Sequence, residues 1–401
     1  MSATPARAAH VILKIPLNNL GSRPRTYTLS ITNRCNLACT YCYVVKSPTT
    51  MTLTMARRAV DFIFQHALPK SHLDIGFFGG EPLLEFPLLQ SITDMIENHP
   101  AYDPGRVILS LTTNGTIFSD EIAAFLNAHA IRVCVSCDGP AHVQNLFRRT
   151  SAGKDTSAVV ERNLLAMQQA LPAVLVNAVY HPQTLRFLPD TLDYLSGLGL
   201  RQIYLNPDFS ARWSRQEAQE LPAVYRALGE RYIAWYLEDD PHFISLLDTK
   251  IAVLVRGGYR PLERCQMGTG ELAITPDGGL YPCGRLIGSG TGKEFRIGTI
   301  ESGVDMTQLA PRCAPGGEQN PECADCSLKD CCMTWCGCSN AFMTGYVNRV
   351  GPFLCASERA LIQISMEVIT ELERQLGPLF LHHLSGEPQW NSREERKGKT
   401  L

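Results

Sequence analysis

The chain has 401 residues, of which 45% are hydrophobic and 19% are charged, a mixture that is ordinary for a globular protein. Its length favours two or three modules over one. The net charge of -2 gives no indication of nucleic acid or an acidic membrane as a partner, and no apolar run is long enough to span a bilayer. We therefore expect neither nucleic acid nor a membrane as a partner.

Fifteen cysteines are distributed unevenly along the chain. Three lie between positions 35 and 42, two lie at 134 and 137, and the other ten lie between 265 and 355. Residues 1–20 contain no sustained apolar core and no clear cleavage site, so no secretory signal is predicted. In such a chain the clustered cysteines indicate metal or iron–sulfur binding rather than disulfides, and the expected compartment is the reducing cytoplasm.

Residues 26–207 alternate between strand-like and helix-like segments. The strand candidates, which are short and mostly apolar, are 26–32, 73–78, 107–112, 132–136, 173–180 and 202–205. The helix candidates, with apolar residues at three- and four-residue spacing, are 54–67, 87–98, 119–129, 157–170 and 188–198. Right-handed crossovers would curl six parallel strands into an open, partial (β/α)6 barrel of the TIM type, which is the predicted α/β fold.

Four conspicuous loops each follow one of the predicted strands. In strand order, they contain Cys35–Cys42, Gly79-Gly80-Glu81-Pro82, Thr113-Asn114-Gly115 and Asp138-Gly139-Pro140. In barrels of this kind the reactive groups lie on the loops after the carboxyl ends of the strands. The placement predicts that these loops build one shared site.

The second half of the chain has a different character. Residues 214–237 are predicted to be helical, with a kink or a fresh helix start at Pro222. Residues 271–282 predict a β-hairpin, 361–376 predict an amphipathic helix, and the tail from Ser385 is polar. The expected division is an extension at 1–25, a barrel at 26–237, a bridge at 238–264, a cysteine-rich domain at 265–357, and a helix and tail at 358–401.

The first three cysteines are spaced Cys-x3-Cys-x2-Cys, with Tyr41 before the last. So compact a loop can direct three thiolates at one cubane iron–sulfur cluster and leave one iron open. A zinc knot or buried free thiols are the alternatives. On the predicted barrel, the motif resembles that of the radical S-adenosylmethionine superfamily. The resemblance implies that Cys35, Cys39 and Cys42 hold a [4Fe–4S] cluster that binds S-adenosylmethionine and cleaves it to a 5′-deoxyadenosyl radical.

The same resemblance implies the rest of the cofactor site. The positions that match S-adenosylmethionine contacts of the family are Tyr41, Gly79, Gly80, Glu81, Asn114, Ser136, Arg148 and Leu205. Glu81 would accept a hydrogen bond from the ligand's ammonium group, and Arg148 suits a carboxylate. Asn114 and Leu205 would lie near the nucleoside. The alternatives are a plain turn for the glycine pair and a solvated surface position for Arg148.

The C-terminal cysteines resemble the seven-cysteine pattern of SPASM domains, which typify radical enzymes that modify peptides and proteins, including anaerobic sulfatase-maturating enzymes. The resemblance implies two auxiliary [4Fe–4S] clusters, three clusters in all. The first auxiliary cluster would be bound by Cys265, Cys283 and Cys336, and the second by Cys323, Cys326, Cys332 and Cys355. A zinc ribbon, or one cluster instead of two, is the alternative.

Two positions depart from the family pattern. Some relatives have a further cysteine six residues after the first, where this chain has Glu271. The first auxiliary cluster would then keep an open iron or take Glu271, Cys313, Cys331 or Cys338 as its fourth ligand. The sulfatase-maturing branch has an aspartate where this chain has Gly284, which counts against sulfatase maturation.

The resemblance therefore implies a maturase that oxidises or cross-links a residue of a peptide or protein, supplied with electrons by a donor such as flavodoxin or ferredoxin. Only 34 residues precede Cys35, too few for the leader-binding domain of many relatives, so a leader peptide would need a separate recognition protein or another surface. Formylglycine formation in a sulfatase, dehydrogenation of a small molecule and simple electron transfer are the rival functions. The sequence does not single out a catalytic base, and Asp208 and Glu271 are two of several acidic candidates.

Overall fold

The computed structural model describes residues 25–67, 71–265, 267–288, 293–314, 320–377 and 380. Of the predicted N-terminal extension, only Arg25 falls among these residues. The polar tail predicted from Ser385 lies outside the described residues.

A single mixed sheet runs through the described part of the chain. Its strands are β1 (Arg25–Thr32), β2 (Leu73–Gly79), β3 (Val107–Thr113), β4 (Arg132–Ser136), β5 (Val174–Tyr180), β6 (Gln202–Pro207), β7 (Phe243–Ile244), β8 (Glu271–Ile274), β9 (Gly279–Tyr281), β10 (Gly298–Thr299) and β11 (Gly303–Val304). Strands β1 to β6 are parallel and pair in sequence order. The predicted six-strand parallel α/β core is confirmed.

The sheet continues beyond these six strands at both edges. β7 pairs parallel with β6, and β8 pairs parallel with β1. The predicted hairpin is confirmed as the antiparallel pair β8 and β9, to which β10 and β11 are added. The cysteine-rich region therefore shares a hydrogen-bonded sheet with the barrel, and this continuity fixes its position beside β1.

The helices that link the strands agree with the predicted segments to within about a residue. In the described residues they are α1 (Leu53–His66), α2 (Phe86–Glu97), α3 (Asp120–Ala128), α4 (Ala141–Phe147), α5 (Ser157–Ala170), α6 (Leu188–Gly197), α7 (Arg215–Leu237), α8 (Ser245–Val255), α9 (Pro321–Ala324), α10 (Gly337–Thr344) and α11 (Pro352–Leu376). The sequence did not predict α4, α8, α9 or α10, and α11 begins nine residues before the predicted start at 361. None of the described helices has both the length and the apolarity that crossing a membrane requires.

α7 is continuous through Pro222, so of the two predicted outcomes, a kink or a fresh helix start, the fresh start is wrong. Ser214 closes a capping box at the beginning of the helix. The large side chains on the buried face of the helix are Leu221, Tyr225, Leu228, Tyr232 and Tyr236. A proline inside a helix costs about 3 kcal/mol, whereas burial of each large apolar side chain contributes roughly 1.5–3 kcal/mol. Burial of this face therefore outweighs the local preference of the proline.

The buried carboxyl group of Asp248 on α8 should make the stability of the protein depend on pH. It accepts hydrogen bonds from Tyr232 Oη at 2.9 Å and from the Ile244 amide at 2.6 Å. Burial nevertheless raises its pKa to about 7. Because the unfolded chain ionises near about pH 4, the folded state holds the extra proton between about pH 4 and about pH 7. Stability from this group is present at low pH and is lost as the pH rises through that window.

The unmodified protein should lose about 2–3 kcal/mol of stability through this group between about pH 5 and about pH 8. We expect Asp248→Asn to show no such loss, because an asparagine does not ionise. Thermal unfolding of both proteins across that range measures it. Equal slopes for the two proteins would show that Asp248 is ionised throughout.

Candidate active site

The three-cysteine loop follows β1 and is held against the end of α4. Leu37 is fully buried and forms a bridge with Thr150. The Thr40 amide donates to the Phe147 carbonyl at 3.2 Å. Cys35, Cys39 and Cys42 all line one cleft. The loop is therefore anchored by a buried side chain and backbone pairing, while its three thiols remain available at the cleft.

The cleft lies at the carboxyl ends of the barrel strands and has an empty volume of about 1070 Å³. Of the positions that the resemblance assigned to the cofactor, those that line it are Tyr41, Gly79, Gly80, Asn114, Ser136 and Arg148. Glu81 and Leu205 are not among its lining residues. The structure thus brings together the three thiols and six of the eight matched positions.

The chemistry of the three thiols fits an iron–sulfur cluster. Burial raises the pKa of the Cys35, Cys39 and Cys42 thiols, so a metal must compensate to favour the thiolate. Soft thiolates select iron–sulfur clusters, zinc or copper(I). Within the described ranges, no three Cys, His, Asp or Glu side chains form a group suited to a single metal ion. The thiols instead surround a cleft with room for a larger group.

A buried chain of hydrogen bonds lies beside the cysteines. Arg148 Nη1 donates to Tyr41 Oη at 2.8 Å, and Tyr41 Oη donates to Asp138 Oδ2 at 2.6 Å. Asp138 Oδ1 accepts from the Val179 amide at 3.0 Å. Arg148 is only 5% exposed, and its Nε has no hydrogen-bond partner among the described residues. Arg148 is therefore not a solvated surface side chain, and its cation suits an anionic group in the cleft, such as a carboxylate.

Glu81 has a different position from the one that the resemblance implied. Its carboxylate is fully buried and accepts from the Leu83 amide at 3.0 Å, from Thr113 Oγ1 at 2.8 Å and from the Asn114 amide at 2.6 Å. All three donors belong to the chain itself. The carboxylate therefore joins the loop after β2 to the loop after β3, and it shapes the cleft without lining it.

The glycine at the end of β2 is required by close packing. Gly79 has a φ of +140°, and a Cβ there would lie 2.2 Å from the Thr32 carbonyl oxygen. We expect Gly79→Ala to displace the β2 loop and to weaken S-adenosylmethionine binding at least tenfold. Gly153→Ala is the matched control, because Gly153 also has a positive φ, +76°, but nothing lies within 4 Å of its added Cβ. Equilibrium dialysis with labelled S-adenosylmethionine measures the effect, and equal affinities would contradict the steric argument.

The remaining matched positions divide between the cleft and the core. Asn114 Nδ2 donates to Asn36 Oδ1 at 2.8 Å and lies 3.8 Å from Cys35 Sγ. Leu205 is 1% exposed and belongs to the hydrophobic core. Asn206 and Pro207, which follow it on β6, do line the cleft. Asn206 is therefore a better placed β6 residue for contact with a ligand than Leu205.

Arg285 is a cleft residue that the sequence reasoning missed. It follows Cys283 in the cysteine-rich region, and its Nη2 donates to Asn206 Oδ1 at 3.0 Å. Burial alone would lower the pKa of the Arg285 guanidinium. The neighbouring Cys338, Cys336 and Cys283 thiols raise that pKa by a larger amount, so the net shift is upward. The sequence did contain one signal for this residue, because Arg285 is a basic residue two positions after the matched Cys283. Arg285 connects the cleft with the first group of auxiliary cysteines.

The four cysteines assigned to the second auxiliary cluster lie together. Cys323, Cys326, Cys332 and Cys355 line a separate cavity with an empty volume of about 820 Å³. Arg359 lines the same cavity, and its Nη2 lies 3.8 Å from Cys326 Sγ. Four thiols and one cation around a common space fit a cubane bound entirely by cysteine.

In the first auxiliary group, Cys336 Sγ lies 3.6 Å from Cys338 Sγ. Glu271 is also nearby, because its Oε1 accepts from the Gly284 amide at 3.4 Å. Cys313 is exposed. The Cys331 carbonyl accepts a hydrogen bond from Lys250 Nζ at 2.6 Å, so the contacts of Cys331 differ from those of Cys336 and Cys338.

Comparison with known proteins agrees with this geometry. The family model described as the radical SAM superfamily matches residues 29–205. A serine-type anaerobic sulfatase-maturating enzyme of Klebsiella aerogenes is 27% identical over 322 residues, which cover 75% of this chain and 76% of that enzyme. A cysteine-type anaerobic sulfatase-maturating enzyme of Clostridium perfringens is 25% identical over 297 residues, which cover 68% and 75% of the two chains.

Solved structures show the same fold. The structure described as native anSMEcpe with bound AdoMet has a TM-score of 0.72 and 19% identity, and the match covers 88% of this chain and all of that one. Streptococcus suis SuiB bound to its precursor peptide SuiA has a TM-score of 0.54 and 13% identity, with 83% and 76% of the two chains covered. The parallel sheet and the cysteine-rich region therefore occur together in known structures.

Proposed function

Since the chain belongs to the radical SAM superfamily, we propose that this enzyme oxidises or cross-links a residue in a peptide or protein substrate. The relatives that support this proposal include sulfatase-maturating enzymes, which match along most of their length. Two solved relatives are described with peptides bound, anSMEcpe with the Cp18Cys peptide and SuiB with SuiA.

The observation that carries the proposal is the composition of the cleft wall. Arg285 and Phe342 of the cysteine-rich region line the same cleft as the three cysteines of the barrel loop. Tyr43 of that loop lies between the two regions, with its ring centroid 6.0 Å from that of Phe78 and 6.5 Å from that of Phe342. A substrate side chain in the cleft would therefore contact both regions at once.

When bound, the cluster and S-adenosylmethionine would supply a 5′-deoxyadenosyl radical that removes a hydrogen atom from the substrate. The chain's own residues would orient the reactants and exclude water. Arg148 presents a buried cation to the cleft, and the Tyr41–Asp138 hydrogen bonds fix its direction. Gly79 and Gly80 allow the backbone of the β2 loop to lie along the cleft wall.

To complete an oxidation, the substrate radical must lose one further electron, for which an auxiliary cluster of the cysteine-rich region would be the acceptor, and one proton. Among the described residues that line the cleft, Asp208 is the acidic one. It is 9% exposed, and its Oδ1 accepts from Ser210 Oγ at 2.6 Å, which orients the carboxylate. We assign Asp208 the role of proton acceptor, and Asp208→Asn is expected to leave 5′-deoxyadenosine formation intact while it slows product formation.

The test uses anaerobically reconstituted enzyme with S-adenosylmethionine, a reductant and synthetic peptides, chosen from any short reading frames that sequencing finds beside the gene. The peptide should lose the mass of two hydrogens for each 5′-deoxyadenosine formed. Release of 5′-deoxyadenosine without any change in the mass of the peptide would count against that substrate, and a small-molecule product in its place would overturn the proposal.

Sulfatase maturation is the second candidate, because both sulfatase-maturating relatives align along about three quarters of their length. The position after Cys283 is Gly284 and offers no carboxylate, so a proton acceptor would have to be Asp208 or another residue. A sulfatase-motif peptide with serine or cysteine at the modified position decides between the two. Conversion to formylglycine supports maturation of sulfatases, and an unchanged peptide excludes it.

A further inference from the structure

The first auxiliary group contains one more thiol than the family pattern assigns to it. Cys338 Sγ is 3.6 Å from Cys336 Sγ, and the Cys283 thiol lies close enough to interact with it. Cys283 and Cys338 are each only 5% exposed. Three thiols, of which the pattern uses two, are therefore gathered in one buried place.

The segment that carries Cys265 packs against the same place. The Met267 Sδ atom lies 2.7 Å from the position that a Cβ on Gly337 would occupy, so Met267 contacts the backbone between Cys336 and Cys338. The Gly268 amide donates to the Pro282 carbonyl at 3.0 Å, next to Cys283. Met267 and Gly268, which follow Cys265 closely in the sequence, are thus fixed beside all three thiols.

The other three candidates for the fourth ligand are less suitable. Cys313 is exposed, and Cys331 directs its carbonyl to Lys250. Glu271 is near Cys283, but its Oε1 already accepts from the Gly284 amide. Irons of a sulfide cluster prefer soft thiolate ligands, whereas a carboxylate is a hard ligand.

We propose that Cys338 supplies the fourth thiolate of the first auxiliary cluster, together with Cys265, Cys283 and Cys336. The inference rests on the auxiliary clusters of the proposed function. The contact between Cys336 and Cys338 is shorter than the separation of two thiolates on different irons of one cubane. One of the two side chains must therefore turn about χ1 when the cluster binds. Cys338 lies in the first turn of α10, where free amide groups favour a thiolate.

Ligation by four cysteines has a functional consequence. A site with all four irons occupied by protein cannot bind the substrate directly, just as a metal site with all positions filled is structural rather than catalytic. The cluster would then accept electrons through its surroundings. Arg285 is next to these thiols and also lines the active-site cleft, so it lies between the cluster and the substrate.

The test is a spectroscopic comparison in a Cys35→Ala/Cys39→Ala/Cys42→Ala background, where only the auxiliary clusters remain. About eight irons per chain are expected after anaerobic reconstitution, four for each cubane. Cyanide, which binds an open iron, should leave the electron paramagnetic resonance spectrum of the reduced background protein unchanged. Cys338→Ala should lose about one iron and show a three-iron signal when oxidised, or should gain a cyanide-dependent shift.

Glu271→Gln and Cys313→Ala are the controls, and both should behave like the background protein. Cys338→Ser keeps the size of the side chain and gives the answer if Cys338→Ala does not fold. A cyanide-dependent shift in the background protein, or a change in Glu271→Gln with none in either Cys338 variant, overturns the assignment. Reconstitution with fewer than about eight irons overturns it together with the two auxiliary clusters. Assays of peptide modification test the proposed substrate class independently of these spectra.

Discussion

Simultaneous replacement of Cys35, Cys39 and Cys42 with alanine will abolish the formation of 5′-deoxyadenosine from S-adenosylmethionine. The three thiols line the cleft of which Arg148 and the β2 loop also form part, and in the described residues no other three cysteines line it. Without them a cluster has no ligands at the site where the cofactor would bind. Anaerobic incubation with dithionite, followed by quantification of 5′-deoxyadenosine by mass spectrometry, measures the loss.

Cys313→Ala is the matched control for this experiment, because Cys313 is exposed and lies outside the cysteine groups described above. It should cleave S-adenosylmethionine at the rate of the unmodified enzyme. With the two proposed auxiliary clusters in place, the triple variant should also lose about a third of its iron, because one of three cubanes would be missing. Cleavage at an unchanged rate in the triple variant would end the interpretation of the chain as a radical SAM enzyme.

The sequence predicted the barrel well because its signals are local. Each of the six strands is a short apolar segment, and each intervening helix has one apolar face, so the alternation could be read without knowledge of the tertiary structure. The rule that parallel strands carry reactive groups at their carboxyl ends then brought distant loops together. Tyr41 of the loop after β1, Ser136 at the end of β4 and Arg148 after α4 all line the same cleft.

Where the structure differs from the sequence-based expectation, the difference depends on contacts that the sequence does not show. Pro222 should interrupt α7 on local grounds, but the buried face of that helix stabilises it. Leu205 matched a family position, yet the alternation of side chains along β6 places it in the core and places Asn206 at the cleft. Glu81 is a buried carboxylate whose three donors come from two different loops, which no local pattern identifies.

The sequence also could not predict how the cysteine-rich region packs against the barrel. β8 follows β1 by more than two hundred residues, yet the two pair in parallel, and no spacing rule predicts such a long-range partner. The same holds for Arg285, whose importance depends on its contact with Asn206. Residues of this kind are found only once the strands are assembled.

A buried ion pair joins the bridge after the barrel to the C-terminal helix and, through further hydrogen bonds, to the cysteine-rich region. Lys250 Nζ on α8 lies 2.7 Å from Glu358 Oε2 on α11, and the two side chains are only 2% and 6% exposed. Lys250 also donates to the Cys331 carbonyl at 2.6 Å, and Glu358 accepts from the Met333 amide at 2.7 Å. One pair of charges thus holds two helices and the segment around the second auxiliary group.

We expect Lys250→Met to destabilise the enzyme by about 3–5 kcal/mol, because it leaves the Glu358 carboxylate buried without its counter-ion. The double variant Lys250→Met/Glu358→Leu should recover part of that loss, since it removes the unpaired charge and leaves apolar side chains of similar size. Urea unfolding of the reconstituted proteins, followed by circular dichroism, gives the differences in unfolding free energy.

Arg226→Ala supplies the matched control, because Arg226 on α7 pairs with Glu367, which lies on α11 like Glu358. That pair is 3.3 Å apart, and its side chains are 47% and 45% exposed. Solvent screens such a pair, so the expected loss is below about 1 kcal/mol. If Lys250→Met were to cost no more than Arg226→Ala, the buried pair would not be what holds α8 to α11. If the double variant were less stable than Lys250→Met, the loss would come from the missing hydrogen bonds to Cys331 and Met333 rather than from an unpaired charge.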